Sequence, residues 1–205
     1  MIIKPENRIF IHIPKTGGTS ITTRYIQKYD MIRMTKLGTS NHPFIIFDDS
    51  NRVTKTEWHF TYDRAFMQFP NFEYFTVIRN PLDRWISVYK HFYMRRLIKE
   101  GIEQWTEKTI NKLPAVHFED GHDPFNVYQS HKFIHPQWMY YREPEVKVFT
   151  INSVWKYANL QPQHIKRGVE IRKFNRNIIK EMIYNYYKKD FERWQMIESK
   201  EKQQS

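Results

Sequence analysis

Short runs of β-branched and aromatic residues alternate along the chain with longer stretches whose apolar positions recur every three or four residues, a pattern that predicts strands and amphipathic helices in turn. Arg8 to Ile13 reads Arg-Ile-Phe-Ile-His-Ile and is stopped by Pro14, which predicts a buried strand. From Ser20 to Tyr29, Ile21, Tyr25 and Ile26 fall at helical spacing behind a Ser/Thr cap, so a helix is expected there. Phe44 to Phe47, closed by Asp48-Asp49, predicts another strand. Glu73 to Arg79 is the clearest strand of all, and Asn80-Pro81 after it supplies an N-cap and the proline tolerated at the first helical position. Leu82, Ile86, Tyr89, Tyr93 and Leu97 then mark one face of a helix, with Asp83 in its first turn. Residues 101–140, punctuated by Pro, His and Gly-Asp, read as irregular chain. Val146 to Ile151 predicts a further strand, and Ile179, Met182, Ile183, Tyr186, Tyr187 and Phe191 predict one helix from Arg176 to Trp194.

Strands alternating with helices, without an internal repeat, predict a single α/β domain over residues 1–197 with a central, mainly parallel sheet flanked by helices. Within it, 94–145 is expected to be a loop-rich insertion, and 198–205 a frayed polar tail. The 205 residues are 40% hydrophobic and 17% aromatic, enough for a real core and too rich in core formers for a disordered or fibrous chain. Cysteine is absent, which excludes disulfides, thiolate metal sites, iron–sulfur clusters and a cysteine nucleophile. Met1 to Lys15 lacks the apolar stretch of a signal peptide, and no apolar run nears the ~20 residues of a membrane span. A cytoplasmic location without a membrane span is therefore expected.

Lys plus Arg number 33 against 22 Asp plus Glu, a formal charge of +11, so the partner is expected to be anionic: nucleic acid, an acidic membrane surface, or a polyanionic or phosphorylated small substrate. The cations are dispersed, with knots at Arg95, Arg96 and Lys99 and at Lys166, Arg167, Arg172 and Lys173, as on a solvated face rather than a disordered arm.

Two constellations carry chemistry. Pro14-Lys15-Thr16-Gly17-Gly18-Thr19-Ser20 lies between a predicted strand and a predicted helix, where backbone N–H groups and the helix dipole converge on an anion. Gly17 and Gly18 allow close backbone approach, Thr19 and Ser20 add hydroxyls, and Lys15 adds a mobile cation. In the nucleotide-hydrolase loop the lysine follows the last glycine and precedes a Mg-binding hydroxyl. Here it comes first, which points to phosphate-linked group transfer without an obligatory metal. The second constellation runs from Arg79 to Ser87. Arg79 ends a strand, at the carboxyl edge where α/β sheets bind ligands, and Ser87 follows two turns into the next helix, on its polar side.

Together these segments resemble the sulfotransferases: the first is similar to their 5′-phosphosulfate loop, the second to their 3′-phosphate motif, in matching order and separation. The Ile-Pro-Lys-Thr-Gly-Gly-Thr-Ser form resembles the carbohydrate branch, with its heparan 2-O- and chondroitin-type enzymes. His135-Pro136-Gln137 and Tyr186-Tyr187-Lys188-Lys189-Asp190-Phe191 resemble segments common in that branch. The resemblance implies a P-loop-like three-layer fold and the donor 3′-phosphoadenosine-5′-phosphosulfate, with adenosine 3′,5′-bisphosphate as its spent form. It assigns Lys15 and Thr16 to Ser20 to the 5′ side, and Arg79 and Ser87 to the 3′-phosphate. No metal is expected. His59, in Glu57-Trp58-His59-Phe60-Thr61-Tyr62, resembles the setting of the base in the heparan 2-O-enzymes; Glu57 is the alternative, and His12, His91 and His135 are rivals. His12 is expected to pack under the loop instead.

The acceptor is expected to be a hydroxyl, on a glycan that is acidic if the charge bears on it. Arg95, Arg96, Lys132, His135, Gln137 and Arg142 are candidate contacts. Absent cysteines and anchor imply a bacterial or viral member rather than a Golgi one. Two other readings stand beside this one. In the first, a P-loop-type kinase uses Asp48 or Asp49 to hold Mg; in the second, a basic nucleic-acid-binding module leaves Arg79, Ser87 and the glycine loop unexplained.

Overall fold

The computed structural model describes residues 1–28, 45–47, 53–56, 61–113, 133–162 and 169–203. In chain order these form β1 (Ile2–Ile3), β2 (Arg8–Ile11), α1 (Gly18–Lys28), β3 (Ile45–Phe47), β4 (Val53–Thr56), α2 (Tyr62–Gln68), β5 (Glu73–Ile78), α3 (Pro81–Met94), α4 (Ile102–Ile110), β6 (Val146–Thr150), α5 (Val154–Ala158), α6 (Arg176–Tyr184) and α7 (Lys188–Gln203).

An open sheet of order β1-β2-β5-β6 organises this mixed α/β fold. β5 takes the centre because Tyr74 to Ile78 are buried without a break, which suits a strand covered on both faces. β2 and β6 run parallel to it while β1 is antiparallel to β2. The pairings Ile11 with Thr76 and Ile78 with Thr150 bring the carboxyl ends of β2, β5 and β6 to one edge, and the loop after β2 and Arg79 after β5 both emerge there.

Two apolar clusters hold the layers. In one, the sheet residues pack with Ile21 and Tyr25 of α1, Tyr62 of α2 and Trp155 of α5. In the other, α3 supplies Leu82, Trp85, Ile86, Val88 and Tyr89 against Ile102 and Trp105 of α4, Ile179 and Ile183 of α6 and Phe191 of α7. Trp85 and Trp105 lie 4.8 Å apart, and the buried Trp85 Nε1 donates to Thr106 Oγ1 at 2.8 Å, the partner that an indole N–H needs inside a core.

The structure departs from the periodicity at five places. β3 pairs antiparallel with β4 in a separate two-stranded sheet instead of joining the parallel one, and Asp48 and Asp49 lie outside the described residues. α3 stops at Met94; Arg96 turns left-handed, leaving Tyr93 at 39% and Leu97 at 66% exposure while Trp85 and Val88 widen the buried face. A helix, α4, occupies part of the stretch expected to be irregular, because Ile102 and Trp105 suffice to dock one of nine residues. The single helix expected over 176–194 is two, separated at 185–187, where the Tyr187 hydroxyl turns inward to donate to the Ile134 carbonyl. Its apolar spacing of 179, 183, 187 and 191 runs straight through the break. The tail expected to fray is helical to Gln203: Ile197 is buried, and Glu201 accepts from Thr150 N at 3.1 Å, from its Oγ1 at 2.5 Å, and from Ser153 Oγ. Among the described residues no helix is long and apolar enough to cross a membrane.

Candidate active site

Pro14 to Gly17 turn the chain from β2 into α1. The Thr16 hydroxyl closes the turn on the Ile13 carbonyl at 3.0 Å, and Ser20 N donates to Gly17 O at 3.0 Å. Lys15 takes φ 68° and Gly17 φ 101°, both in the left-handed region. Glycine is needed twice over. A Cβ on Gly18 would come within 2.0 Å of the buried His12 ring, and one on Gly17 within 2.9 Å of Ile151 Cδ1 at the end of β6. His12 thus packs under the loop, as expected. α1 carries no acid in its first turn, so nothing there opposes an anion drawn to the helix start.

Arg79 follows the last residue of β5, and the side-chain amide of Gln137 holds its backbone. Arg79 N donates to Gln137 Oε1 at 2.8 Å, and Gln137 Nε2 donates back to Arg79 O at 2.8 Å. The guanidinium Nη1 reaches the Lys15 carbonyl at 3.4 Å, which joins the two sequence constellations directly. Burial pulls the Arg79 pKa down and nearby Arg176 adds to this, while Asp83 opposes it; an arginine nonetheless stays charged. Arg176, at the start of α6, pairs with Asp83 at 2.6 Å.

Arg84 is 2% exposed yet cationic. Its Nε donates to Pro14 O at 2.9 Å, Nη1 to His135 O at 2.8 Å and Nη2 to Phe133 O at 3.0 Å, tying the glycine turn to the segment that carries Gln137. That segment is capped by Asp190 of α7, which accepts from Gln137 N at 2.6 Å and Trp138 N at 3.0 Å. Burial pushes the Asp190 carboxyl up to about 6, against the pull of these N–H groups and of Arg84. His91, stacked on Phe133 at 5.2 Å, is held down to about 4 by burial first and then by Lys15 and Arg95, so its imidazole is neutral at pH 7.

Lys15, Arg79 and the glycine turn come together. Ser87 is half-buried on α3, one turn beyond Arg84, while Thr19 is exposed and Ser20 buried. His135 and Gln137 are interior, with the Gln137 amide spent on Arg79. Arg95 and Arg96 are exposed past the end of α3, and exposed Arg142 pairs with Asp63 of α2 at 2.8 Å. His59, Glu57 and Lys132 lie outside the described residues. Arg84, Arg176 and Ile151 are additions to the residues singled out from sequence. Of these Arg84 left a signal, a cation lodged among Leu82, Trp85, Ile86, Val88 and Tyr89 on a helix.

Fold and site together define an α/β protein that brings Lys15, Arg79 and a glycine turn together at the carboxyl edge of parallel strands. A family model described as the sulfotransferase family matches residues 1–128, a span that contains the glycine turn, Arg79 and Ser87; the chain belongs to that family, whose reaction is sulfuryl transfer to an acceptor hydroxyl. No curated protein and no solved structure matches the chain.

Proposed function

We propose that the protein transfers the sulfuryl group of 3′-phosphoadenosine-5′-phosphosulfate to a hydroxyl of a carbohydrate, within a P-loop-like three-layer frame. The observation that carries this reading is the hydrogen bond from the Arg79 guanidinium to the Lys15 carbonyl: it sets a strand-end arginine beside a glycine turn, one site for each end of a nucleotide phosphorylated at both. The residues fit such a donor. Gly17 and Gly18 leave the backbone bare where side chains would collide, and Arg79 and Arg176, with Asp83 near them, form a positive spot that a phosphate dianion would neutralise.

In the transfer the acceptor oxygen bonds to sulfur as the bond from sulfur to the leaving phosphate oxygen breaks, and the acceptor proton passes to a base. Lys15 and the backbone of Thr16 to Ser20 take up the charge that develops on the leaving phosphate. Arg79 and Ser87 hold the 3′-phosphate, a contact made largely in binding. His59 is the base, with Glu57 as the alternative; the support is the resemblance of the segment 57–62, which β4 precedes in sequence and whose last residue, Tyr62, opens α2. Arg95, Arg96, Lys132 and Arg142 are the cations offered to an acidic glycan, and no metal takes part.

Calorimetric titration with adenosine 3′,5′-bisphosphate, with ATP plus Mg as control, tests the donor. Binding of the bisphosphate that weakens at least ~10-fold in Arg79→Ala, without a matching ATP response, is the expected result. Tight ATP binding with no bisphosphate response overturns the reading and makes Asp48 and Asp49 the residues to test. For the base, full turnover in His59→Ala would sink the assignment.

A further inference from the structure

We infer that Asp190 is a positioning residue for the 3′-phosphate site, acting on Arg79 through Gln137; the inference rests on the donor reading above. Ile78 is the last residue of β5 with a ladder partner, Thr150, so no strand pairing fixes the peptide of Arg79. The Gln137 side chain fills that role at both the N–H and the C=O of Arg79, each at 2.8 Å. Gln137 itself opens a 3-10 helix, Gln137–Tyr140, whose preceding residue, Pro136, gives no side-chain cap. The cap comes from 53 residues further along the chain: the two carboxylate oxygens of Asp190 take the two consecutive N–H groups of Gln137 and Trp138.

Among the described residues, Arg84, Tyr187 and Asp190 hydrogen-bond the backbone of the stretch 133–138, and their targets differ. Arg84 binds the carbonyls of Phe133 and His135, and Tyr187 binds that of Ile134. Asp190 alone of the three bonds the residue whose side chain grips Arg79. An interior carboxylate is a costly way to fill space. Its two acceptors facing two adjacent donors are something an amide cannot reproduce, since asparagine would present one acceptor and one donor to the same pair. The resulting chain of bonds runs from the first turn of α7 to the backbone of a phosphate-binding arginine.

The experiment is done on the full chain. Amide hydrogen exchange at Arg79 reads the relay without any nucleotide, and calorimetry with adenosine 3′,5′-bisphosphate and adenosine 5′-phosphate separates the 3′-phosphate from the rest of the ligand. In Asp190→Asn, Arg79 exchange is expected to quicken. Bisphosphate affinity should fall about tenfold while 5′-phosphate affinity stays within about twofold. Unchanged Arg79 exchange, or an equal loss for both nucleotides, overturns the inference, the latter because a merely structural role spreads damage over the whole site. If the wild-type protein binds no bisphosphate, the donor reading falls by itself and the exchange measurement still decides the relay. Should Asp190→Asn fail to fold, Gln137→Met keeps Asp190 and cuts the last link: a selective loss of bisphosphate supports the inference, and wild-type affinity overturns it.

Discussion

At the scale of single residues the glycine turn is where conformation and chemistry part company. Lys15 is held at φ 68°, a region that costs an L-residue about 1 kcal/mol or more, so backbone energetics alone would favour glycine there. Lys15→Gly is therefore expected to leave stability unchanged within ~1 kcal/mol in urea denaturation, or to raise it, while turnover falls at least ~100-fold through loss of the cation at the leaving phosphate. Retained turnover would remove Lys15 from the mechanism. Gly18 poses the opposite case, since its added Cβ meets the His12 ring at 2.0 Å. Gly18→Ala should cost about 1–3 kcal/mol by overpacking. Adding His12→Ala should return part of that loss, because the obstructing ring is gone; a purely additive double variant would show that the ring is not the obstacle. A glycine pair after a β-rich run was legible as a strand-to-helix turn from sequence. Lys15 taking the left-handed conformation was not, because the residue type disfavours it and only the closure of the turn imposes it.

Among elements, the legible part is local and the illegible part is long-range. β2, β5 and β6 declared themselves by runs rich in β-branched and aromatic residues, and α3 by its cap and first two turns. His135 and Gln137 beside a proline read as candidate acceptor contacts, and both are interior, held by Arg84 and Asp190 from elements 51 and 53 residues away. Asp190 also gives α7 a pH signature. The groups facing it are Arg84 from α3, Tyr140 and Tyr141 from the segment it caps, and Tyr186 and Tyr187 just before its own helix. Burial lifts its folded pKa from 3.8 to about 6, so the native state binds this proton more tightly than the unfolded chain does. Its contribution is fully present below the unfolded value and is lost as pH rises through about 6. Thermal melts between about pH 5 and 7 should therefore show wild type gaining stability relative to Asp190→Asn as the solution is acidified. Comparing the two removes the histidines common to both; parallel curves would mean that Asp190 does not titrate in this window.

Over the whole molecule, alternation of strand and helix was enough to announce an α/β sheet. The two-residue β1 and the four-residue β4 carried too few positions for a pattern to form, and β3, legible as a strand, held no sign that it would pair in a separate sheet. The family was legible for a related reason: residues 1–128 contain both short, dense motifs, whereas the contacts that brace them come largely from the chain beyond. Charge belongs to this scale as well. The excess of +11 is spread over cations such as Arg95, Arg96, Lys99 and Arg142, all exposed, while Arg79 sits half-buried against the loop. Salt screens the first kind of site far more than the second, because exposed charges interact across a Debye length of roughly 10 Å at 0.1 M that shortens as ions are added. Raising salt from about 50 to 300 mM should thus weaken binding of an acidic polysaccharide more than ~10-fold, through release of counterions from many contacts, and binding of adenosine 3′,5′-bisphosphate less than ~3-fold. Calorimetry of both ligands on one preparation checks this. A polysaccharide that binds equally well at both salt concentrations would remove the exposed cations from acceptor recognition, and a bisphosphate that falls as steeply as the glycan would remove the half-buried Arg79 from the donor site.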